Sequence, residues 1–535
     1  MLFLKDYNYN WTYYIFWLSS IFISALHYGL AEETPIRCRM NVNCTYTTKK
    51  VYSYKTDYSF KLNGHDTLKV SLSDSKVVLA FKNMQIGLED TNVPCFETVR
   101  RIPAVHVQNG KLPIGSYKEA LRSMNILYFD ELELYYGAIN NDTILQPSHF
   151  EGLTDLLSLT IRCDYFDLYS GLELAFLRPL VSLQELKLVK IIVPPIPHFV
   201  KISKLTIKEG SFSEGFQSIG ECGALETLVI SGVHITNIPE GWLSRCAKLR
   251  ALTLEDLRRL QKIPDRLLQG NQHLRYLKIK KCQIENVPDD LLSYTPELQR
   301  LDLYGNLVVS LPNGFFSNSS NIEHLFLGPA EIVHLDAGDE MNALPNLKTL
   351  VLDGISKYGL CRNDGRIGPD KYYKTLPFSA IMPKLEHLSL RDTRVTKICP
   401  EWKNLFPALK KLNLMDHSIK NLTYNDIQII HSTDWEVDLC ITSSRYDNIK
   451  IQFTESDFNS VKMSPMEVTN ATILLNEDRI CDCDWYWFIR SLKARPEYVS
   501  IPYGKCIWYD PPGSKNKMTT PIAETPESKL VCRFY

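Results

Sequence analysis

Charge of one sign is what this chain lacks most clearly. Its 535 residues carry 60 Lys and Arg against 61 Asp and Glu, a formal balance of -1. No large net field argues for nucleic acid or an anionic membrane as partner, so partner choice has to come from local patches. Catalytic signatures are missing too. There is no G-x-S-x-G, no G-x-x-x-x-G-K-[ST] and no H-E-x-x-H, so no nucleophile elbow, phosphate cradle or helical zinc pair is written into the chain. No enzyme activity and no cofactor are expected. The C-x-C at Cys481 and Cys483 has no second close pair and no nearby His, because Cys506 and Cys532 follow at intervals of 23 and 26 residues. That spacing fits a disulfide cap better than a metal site.

What is present is one phrase written six times: ALETLVI, KLRALTL, HLRYLKI, ELQRLDL, NIEHLFL and NLKTLVL. The first apolar anchors are Leu225, Leu249, Leu274, Leu298, Ile322 and Leu347, spaced by 24, 25, 24, 24 and 25 residues. That period with L-x-x-L-x-L marks a leucine-rich repeat. One such short strand cannot bury its own apolar face, whereas stacked neighbours can, so an α/β solenoid is expected, a horseshoe with a parallel concave sheet and closed ends. A second apolar set returns on the convex side: Ile235 and Ile238, Leu260 and Ile263, Ile284 and Val287, Val309 and Leu311. The leucines are core. Function is expected at the x positions, which alternate outward along each strand.

Residues 1–31 hold an apolar run of eighteen residues from Tyr14 to Ala31, ending in Gly29-Leu30-Ala31 before Glu32-Glu33. Small residues before an acidic start fit a cleaved secretory leader, which would take Asn10 with it and leave no membrane span. An uncleaved anchor competes, since eighteen apolar residues just reach across a bilayer. Fourteen cysteines and the sequons at Asn43, Asn141, Asn318, Asn421 and Asn470 agree with a secreted, glycosylated, disulfide-bonded protein. Residues 32–117 read as an amino-terminal cap closed by Cys38 and Cys44, with strands near Ser59, Thr67 and Val77 and a degenerate repeat at Ile102, Val105 and Val107. The array covers 118–475. It is irregular at first, with 27, 19 and 23 residues between Leu156, Leu183, Ile202 and Leu225. Leu132 and Leu134 precede these anchors. Between Leu347 and Leu385 lie 38 residues, about fourteen more than one unit, so an insertion is expected near 355–380, either a binding loop or a tolerated surface loop. Leu409 keeps the period, and Leu439-Ile441 and Thr472-Ile473 continue it loosely. Residues 476–535 form the carboxy-terminal cap, with Trp487 and Phe488 expected to pack on the last repeat.

The lattice also predicts bridges. Equivalent positions in adjacent units lie roughly 5 Å apart, within disulfide range. Cys222 and Cys246 each precede an anchor by three residues, and Cys361 and Cys399 each follow one by fourteen, so both pairs are in phase. Cys282 sits where this repeat type usually places an inward Asn, and Cys163 lies near that position. With Cys95 and Cys440 they have no in-phase partner and read as buried thiols, although Cys95 has a second option in the amino-terminal cap.

Neighbouring strands offer Arg250, Arg275, Tyr276, Lys278, Lys280, Lys281, Arg300, Asp302, Tyr304, His324 and Phe326 at x positions. Tyr, Arg and Phe are enriched at protein interfaces, so Arg275, Tyr276, Lys278, Lys280, Arg300, Asp302, Tyr304, His324 and Phe326 are the candidate ligand-binding set. The bland alternative is a solvated sheet face. His324 and His387 occupy equivalent positions two anchors apart, about two strand spacings, which is too far for one metal ion.

The run Cys481-Asp-Cys483, with Cys506 and Cys532 after it, resembles the carboxy-terminal flanking cap of extracellular leucine-rich repeat proteins. That resemblance implies Cys481 bonded to Cys506 and Cys483 bonded to Cys532. With Trp487-Phe488-Ile489, Pro511-Pro512-Gly513 and Leu530-Val531-Cys532, the mature chain resembles the first extracellular horseshoe of an arthropod Toll receptor. The resemblance implies an extracellular recognition module in innate immune or developmental signalling, a cystine-knot cytokine of the Spätzle type as ligand, and homo- or hetero-dimers. Toll receptors signal through a transmembrane helix and a cytoplasmic TIR domain. Here the sequence stops three residues after Cys532, so the expectation is either a secreted binder that does not itself signal or the extracellular portion of a truncated receptor. A secreted structural or matrix interaction protein is the alternative.

Overall fold

A computed structural model describes residues 36–37, 44–52, 55–62, 65–73, 76–81, 85–87, 95–96, 100–108, 111–136, 145–163, 174–193, 201–212, 222–308, 310–328, 343–354, 380–393, 395–416, 419–439, 450–463, 472–474, 478–496, 504–510 and 514–530. The leader at 1–31, the Cys38 bridge, the sequons at Asn43, Asn141 and Asn470, Cys361, Cys440, Cys532 and almost all of the insertion lie outside them. The chain folds as two compact units, 1–168 with 175–183, and 169–174 with 184–535.

In the first unit four antiparallel strands, β1 (Cys44–Tyr52), β2 (Lys55–Leu62), β3 (His65–Ser73) and β4 (Lys76–Phe81), form a meander. The sheet then turns parallel. β4 pairs with β5 (Ala104–Gln108), β5 with β6 (Glu131–Tyr136) and β6 with β7 (Ser158–Cys163). β4 alternates buried and half-buried residues, with Val77, Leu79 and Phe81 inward. The repeat register therefore starts at Val105 and Val107, against the last strand of the meander, and the apolar end of the first repeat is covered. Helix α1 (Tyr117–Ser123) begins with a capping box between Ser116 and Glu119. Its Tyr117 stacks on Phe150, and Phe150 on Phe176, with centroids 5.5 and 5.1 Å apart. Tyr117 and Tyr136 share a buried hydroxyl pair at 2.5 Å, and burial pushes the Tyr117 phenol well above its ordinary range.

The second unit is one parallel ladder. Its strands are β8 (Glu185–Val189), β9 (Lys204–Lys208), β10 (Thr227–Ser231), β11 (Ala251–Glu255), β12 (Tyr276–Lys280), β13 (Arg300–Asp302), β14 (His324–Leu327), β15 (Thr349–Leu352), β16 (His387–Ser389), β17 (Lys411–Asn413), β18 (Glu436–Asp438) and β19 (Thr472–Leu474), paired in that order. Leucines face leucines throughout: Leu186, Leu205, Leu228, Leu252, Leu277, Leu301, Leu325, Leu350, Leu388 and Leu412 form a single row, each at most 1% exposed. Unequal unit lengths are absorbed outside the sheet. Leu350 pairs with Leu388 across 38 residues, so the sheet register continues from one side of the insertion to the other. Near the end the register differs from the Leu439-Ile441 reading, because Val437 lies opposite Leu412 and Ile473.

Nine of these strands end in the same turn. Lys190, Glu209, Asp256, Lys281, Asp392 and Asp416 all have φ between 52 and 57°, with Gly232, Gly305 and Gly354 at the equivalent place. A left-handed conformation costs a side-chain-bearing residue roughly 1 kcal/mol, and the turn offsets it by extending the ladder. Asp256 N–H donates to Lys280 O and Lys281 N–H to Tyr304 O, both at 2.9 Å. Lys281 accordingly belongs to this turn, not to the open sheet face.

The convex side repeats as well. Cys222, Cys246, Asn271, Thr295 and Ser319, each three residues before an anchor, form a buried column. Cys222 and Cys246 are joined, with Cα atoms 4.8 Å apart, and Asn271 donates to Cys246 O at 2.9 Å. Cys399 is disulfide-bonded as well. Cys282 faces inward with Sγ 3.5 Å from Lys280 O, and burial pushes its thiol up to about 11. One repeat on, Asn306 does what the inward Asn of such repeats does. Its Nδ2 donates to Ile279 O and Leu303 O, and its Oδ1 accepts Cys282 N–H.

The carboxy-terminal cap carries α2 (Glu455–Met463), β20 (Asp478–Ile480), α3 (Tyr486–Ala494), β21 (Lys505–Tyr509) and β22 (Lys517–Pro521). Cys481 is bonded to Cys506, and Cys483 is disulfide-bonded. Phe488 is buried and meets Phe453 and Trp485 edge-on. Trp487 does not pack inward as expected. The buried stripe of α3 is Phe488, Ile489, Ser491 and Leu492, and Trp487 falls outside it.

Candidate functional site: the open face of the repeat sheet

Strand registry sorts the candidate residues into rows. Tyr276, Arg300 and His324 lie side by side on β12, β13 and β14, followed by Thr349 and His387. Lys278, Asp302 and Phe326 form the next row. Lys280 and Tyr304 stand one step further along. Eight of the nine candidates are thus assembled on three consecutive repeats, because a period of 24 or 25 places equivalent side chains on neighbouring strands.

Their roles differ from what residue type alone implies. Arg275 is at the rim, with Nε and Nη2 both 3.3 Å from Glu297 Oε2. That carboxylate also receives His273 and is held below its ordinary range, chiefly by the His273 hydrogen bond. A cleft of about 410 Å³ there is lined by Arg275, Glu297, Gln299, Asn321, Glu323 and Asn346. Lys278 is spent as well: its Nζ lies 2.8 Å from Glu255 Oε2, with 18% of the side chain exposed. Asp302 is turned inward, 3% exposed, and its Oδ1 accepts Tyr304 N–H at 3.1 Å. Burial raises the Asp302 carboxyl above its ordinary range, outweighing the Tyr304 hydrogen bond and the cations Lys280, Lys278 and Arg300. Asp302 is therefore a support for the turn, not a contact for a ligand, and Lys278 is half of an internal ion pair.

Arg300 is the centre of what remains. Its guanidinium carbon is 5.3 Å from the Tyr276 ring and 4.3 Å from the Phe326 ring, so two aromatic faces hold it in place. Among the described residues it makes no hydrogen bond or ion pair, and its Nε is buried without a partner. Lys280 lies 5.1 Å above the Tyr304 ring, likewise without a carboxylate. His324 bonds Thr349 Oγ1 through Nδ1 at 3.0 Å, and burial followed by Arg300 lowers its pKa, so it is neutral near pH 7. No group of three His, Cys, Asp or Glu suited to a metal occurs among the described residues. The face presents an aromatic-clamped guanidinium whose Nε is buried, and an ammonium, that of Lys280, four residues along the strand from Tyr276, the register partner of Arg300. Both are donors for carboxylate oxygens.

No protein-family model matches the chain, and no curated protein matches it in sequence. Solved structures do match. The chain aligns with the mouse RP105/MD-1 complex at 16% identity over 79% of this chain and 70% of that one, with a TM-score of 0.51. It also aligns with Toll of the Drosophila Toll–Spatzle complex at 14% identity over 91% and 76%, TM-score 0.47, and with the TLR13–ssRNA13 complex at 16% over 80% and 57%, TM-score 0.49. In fold, then, the chain resembles leucine-rich repeat ectodomains of the kind found in RP105.

Proposed function

We propose that this chain is an extracellular recognition module that binds a protein ligand on the open face of its repeat sheet, with Arg300 as the central contact. The carrying observation is the stack Tyr276–Arg300–Phe326. A guanidinium with no carboxylate within ion-pair distance among the described residues, held between two rings and partly stripped of water, gains most from an incoming acidic group and loses little entropy on binding it. The ligand chemistry is a folded protein with acidic side chains, and the Toll-like cap residues favour a cystine-knot cytokine of the Spätzle type in immune or developmental signalling. Aromatic residues beside arginine favour protein over nucleic acid, which would call for a run of uncompensated cations. Secretion and glycosylation at exposed Asn318 and Asn421 belong to the same reading. So do the leader 1–31, the cap boundaries at 117 and 475, and the bridges Cys361 to Cys399 and Cys483 to Cys532.

The test is binding of the secreted chain to such a cytokine by surface plasmon resonance, with matrix proteins, glycans and single-stranded RNA as competitors. Cytokine binding that Arg300→Gln weakens supports the reading. Capture of matrix components alone favours the structural alternative, a scaffold without receptor function.

A further inference from the structure

We propose that the outer face of the carboxy-terminal cap, where α2 meets α3, docks an acidic segment of a partner protein, with Arg490 receiving a carboxylate and Phe458 and Trp487 an apolar side chain. The surface is built from a second clamped arginine, in a different place from the sheet site. The Arg490 guanidinium carbon lies 5.3 Å from the Phe458 ring, 5.6 Å from Trp487 and 5.8 Å from Tyr486. Those rings also touch one another: Phe458 with Trp487 at 5.6 Å and Tyr486 with Trp487 at 4.9 Å. The core does not require this arrangement. All three rings are half-buried and Arg490 is exposed, while Trp485, Phe488, Ile489 and Leu492 fill the interior of the cap.

Charge selects the occupant. Nη1 of Arg490 donates to Tyr486 Oη at 2.9 Å, and among the described residues Arg490 has no carboxylate within ion-pair distance. Tyr486–Ala494 contains no acidic residue, and its other cation, Lys493, is turned onto Thr525 O at 2.6 Å. The nearby Asp457 is also turned away, capping α2 through Thr454 N–H at 2.7 Å and Thr454 Oγ1 at 2.8 Å. What the face offers outward is a cation whose Nε and Nη2 have no partner among the described residues, on an aromatic floor. Trp, Tyr and Arg are the residue types that dominate binding energy at protein interfaces. A planar fork of donors matches a carboxylate in two-point contact, which an ammonium does not. The same helix α2 ends at Met463, 82% exposed, a side chain that adapts to varied apolar surfaces.

The probe is a Glu/Tyr copolymer, with a Lys/Tyr copolymer as the opposite-charge control, followed by Trp fluorescence and surface plasmon resonance on the full secreted chain. The expected result is saturable binding of the Glu/Tyr copolymer, weakened at least about tenfold by Arg490→Gln and by Trp487→Ala. The Arg490→Gln and Trp487→Ala comparisons are made in the Arg300→Gln background as well as in the wild-type chain, so that any binding of acidic chains by the sheet face is removed and the loss reports the cap alone. Melting of Arg490→Gln at the wild-type temperature shows that the cap still folds. Equal binding by Arg490→Gln and wild type would overturn the proposal, as would equal binding of the Lys/Tyr copolymer. Two further results would replace it: self-association in sedimentation that Arg490→Gln abolishes would assign the face to a second copy of this chain, and Arg490-dependent binding to phosphatidylserine vesicles without copolymer binding would assign it to a membrane.

Discussion

Asp302 and Arg300 are two residues apart on one strand, yet burial gives them opposite tasks. Asp302 holds a backbone N–H and pays a desolvation cost, so its carboxyl is raised above the ordinary range. A carboxyl whose folded pKa exceeds its unfolded value contributes fully only below the unfolded pKa, and the contribution is lost as pH rises through the folded one. Asp302→Asn keeps an acceptor for Tyr304 N–H and removes the ionisation. Its melting temperature should match wild type near pH 3 and exceed it at pH 7. A gap that shrinks as pH rises would contradict the assignment of burial as the dominant effect. The cation Lys278 carries a related lesson. Because it is paired with Glu255, charge reversal there would set two carboxylates against each other, so Lys280 is the residue on which to test electrostatic steering. Lys280→Glu should slow association with the ligand by about threefold or more while changing dissociation little, and the effect should fade at high salt.

Elements of the array were legible because the period fixes which residues become neighbours. Leu225 to Leu347 could be placed in register from sequence, and the phase of Cys222 and Cys246 pointed to the bond that the structure contains. Closing 24 residues, this bond contributes about 3 kcal/mol on a chain-entropy estimate. Replacing both cysteines by Ala should therefore raise hydrogen exchange in β10 and β11 before the rest of the ladder, since contacts in a solenoid are nearest-neighbour. Uniform exchange across all repeats would contradict that local picture. Less was legible where contacts cross repeats diagonally. Lys278 to Glu255 and Arg275 to Glu297 are not equivalent positions, so reading rows alone made them look like free cations. Trp487 departs from the sequence expectation for a different reason. The stripe Trp485, Phe488, Ile489 and Leu492 has helical period and was visible in the sequence, but adjacent aromatics drew Trp487 into the core with them.

Across the second unit, the sheet rim carries repeated ion pairs between successive repeats. Arg250 meets Glu226 at 3.7 Å, Lys348 meets Glu323 at 2.7 Å and Lys410 meets Glu386 at 3.1 Å. All are substantially exposed, and pairs of that kind are worth about 0–1 kcal/mol each. The leucine row and the left-handed turn ladder carry the stability instead, and the near-zero net charge is balanced locally along the rim. The open face can then hold Arg300 and Lys280 without an ion-pair partner among the described residues, while Lys278 and the rim cations are paired. That distinction between a compensated rim and an uncompensated centre is the central claim. It is tested most directly by the dissociation rate of the wild-type chain and of Arg300→Gln from a Spätzle-type cytokine in surface plasmon resonance. The account predicts faster dissociation, a loss of about 2 kcal/mol or roughly thirtyfold in affinity, with an unchanged melting temperature. Identical dissociation rates for the two proteins would contradict it.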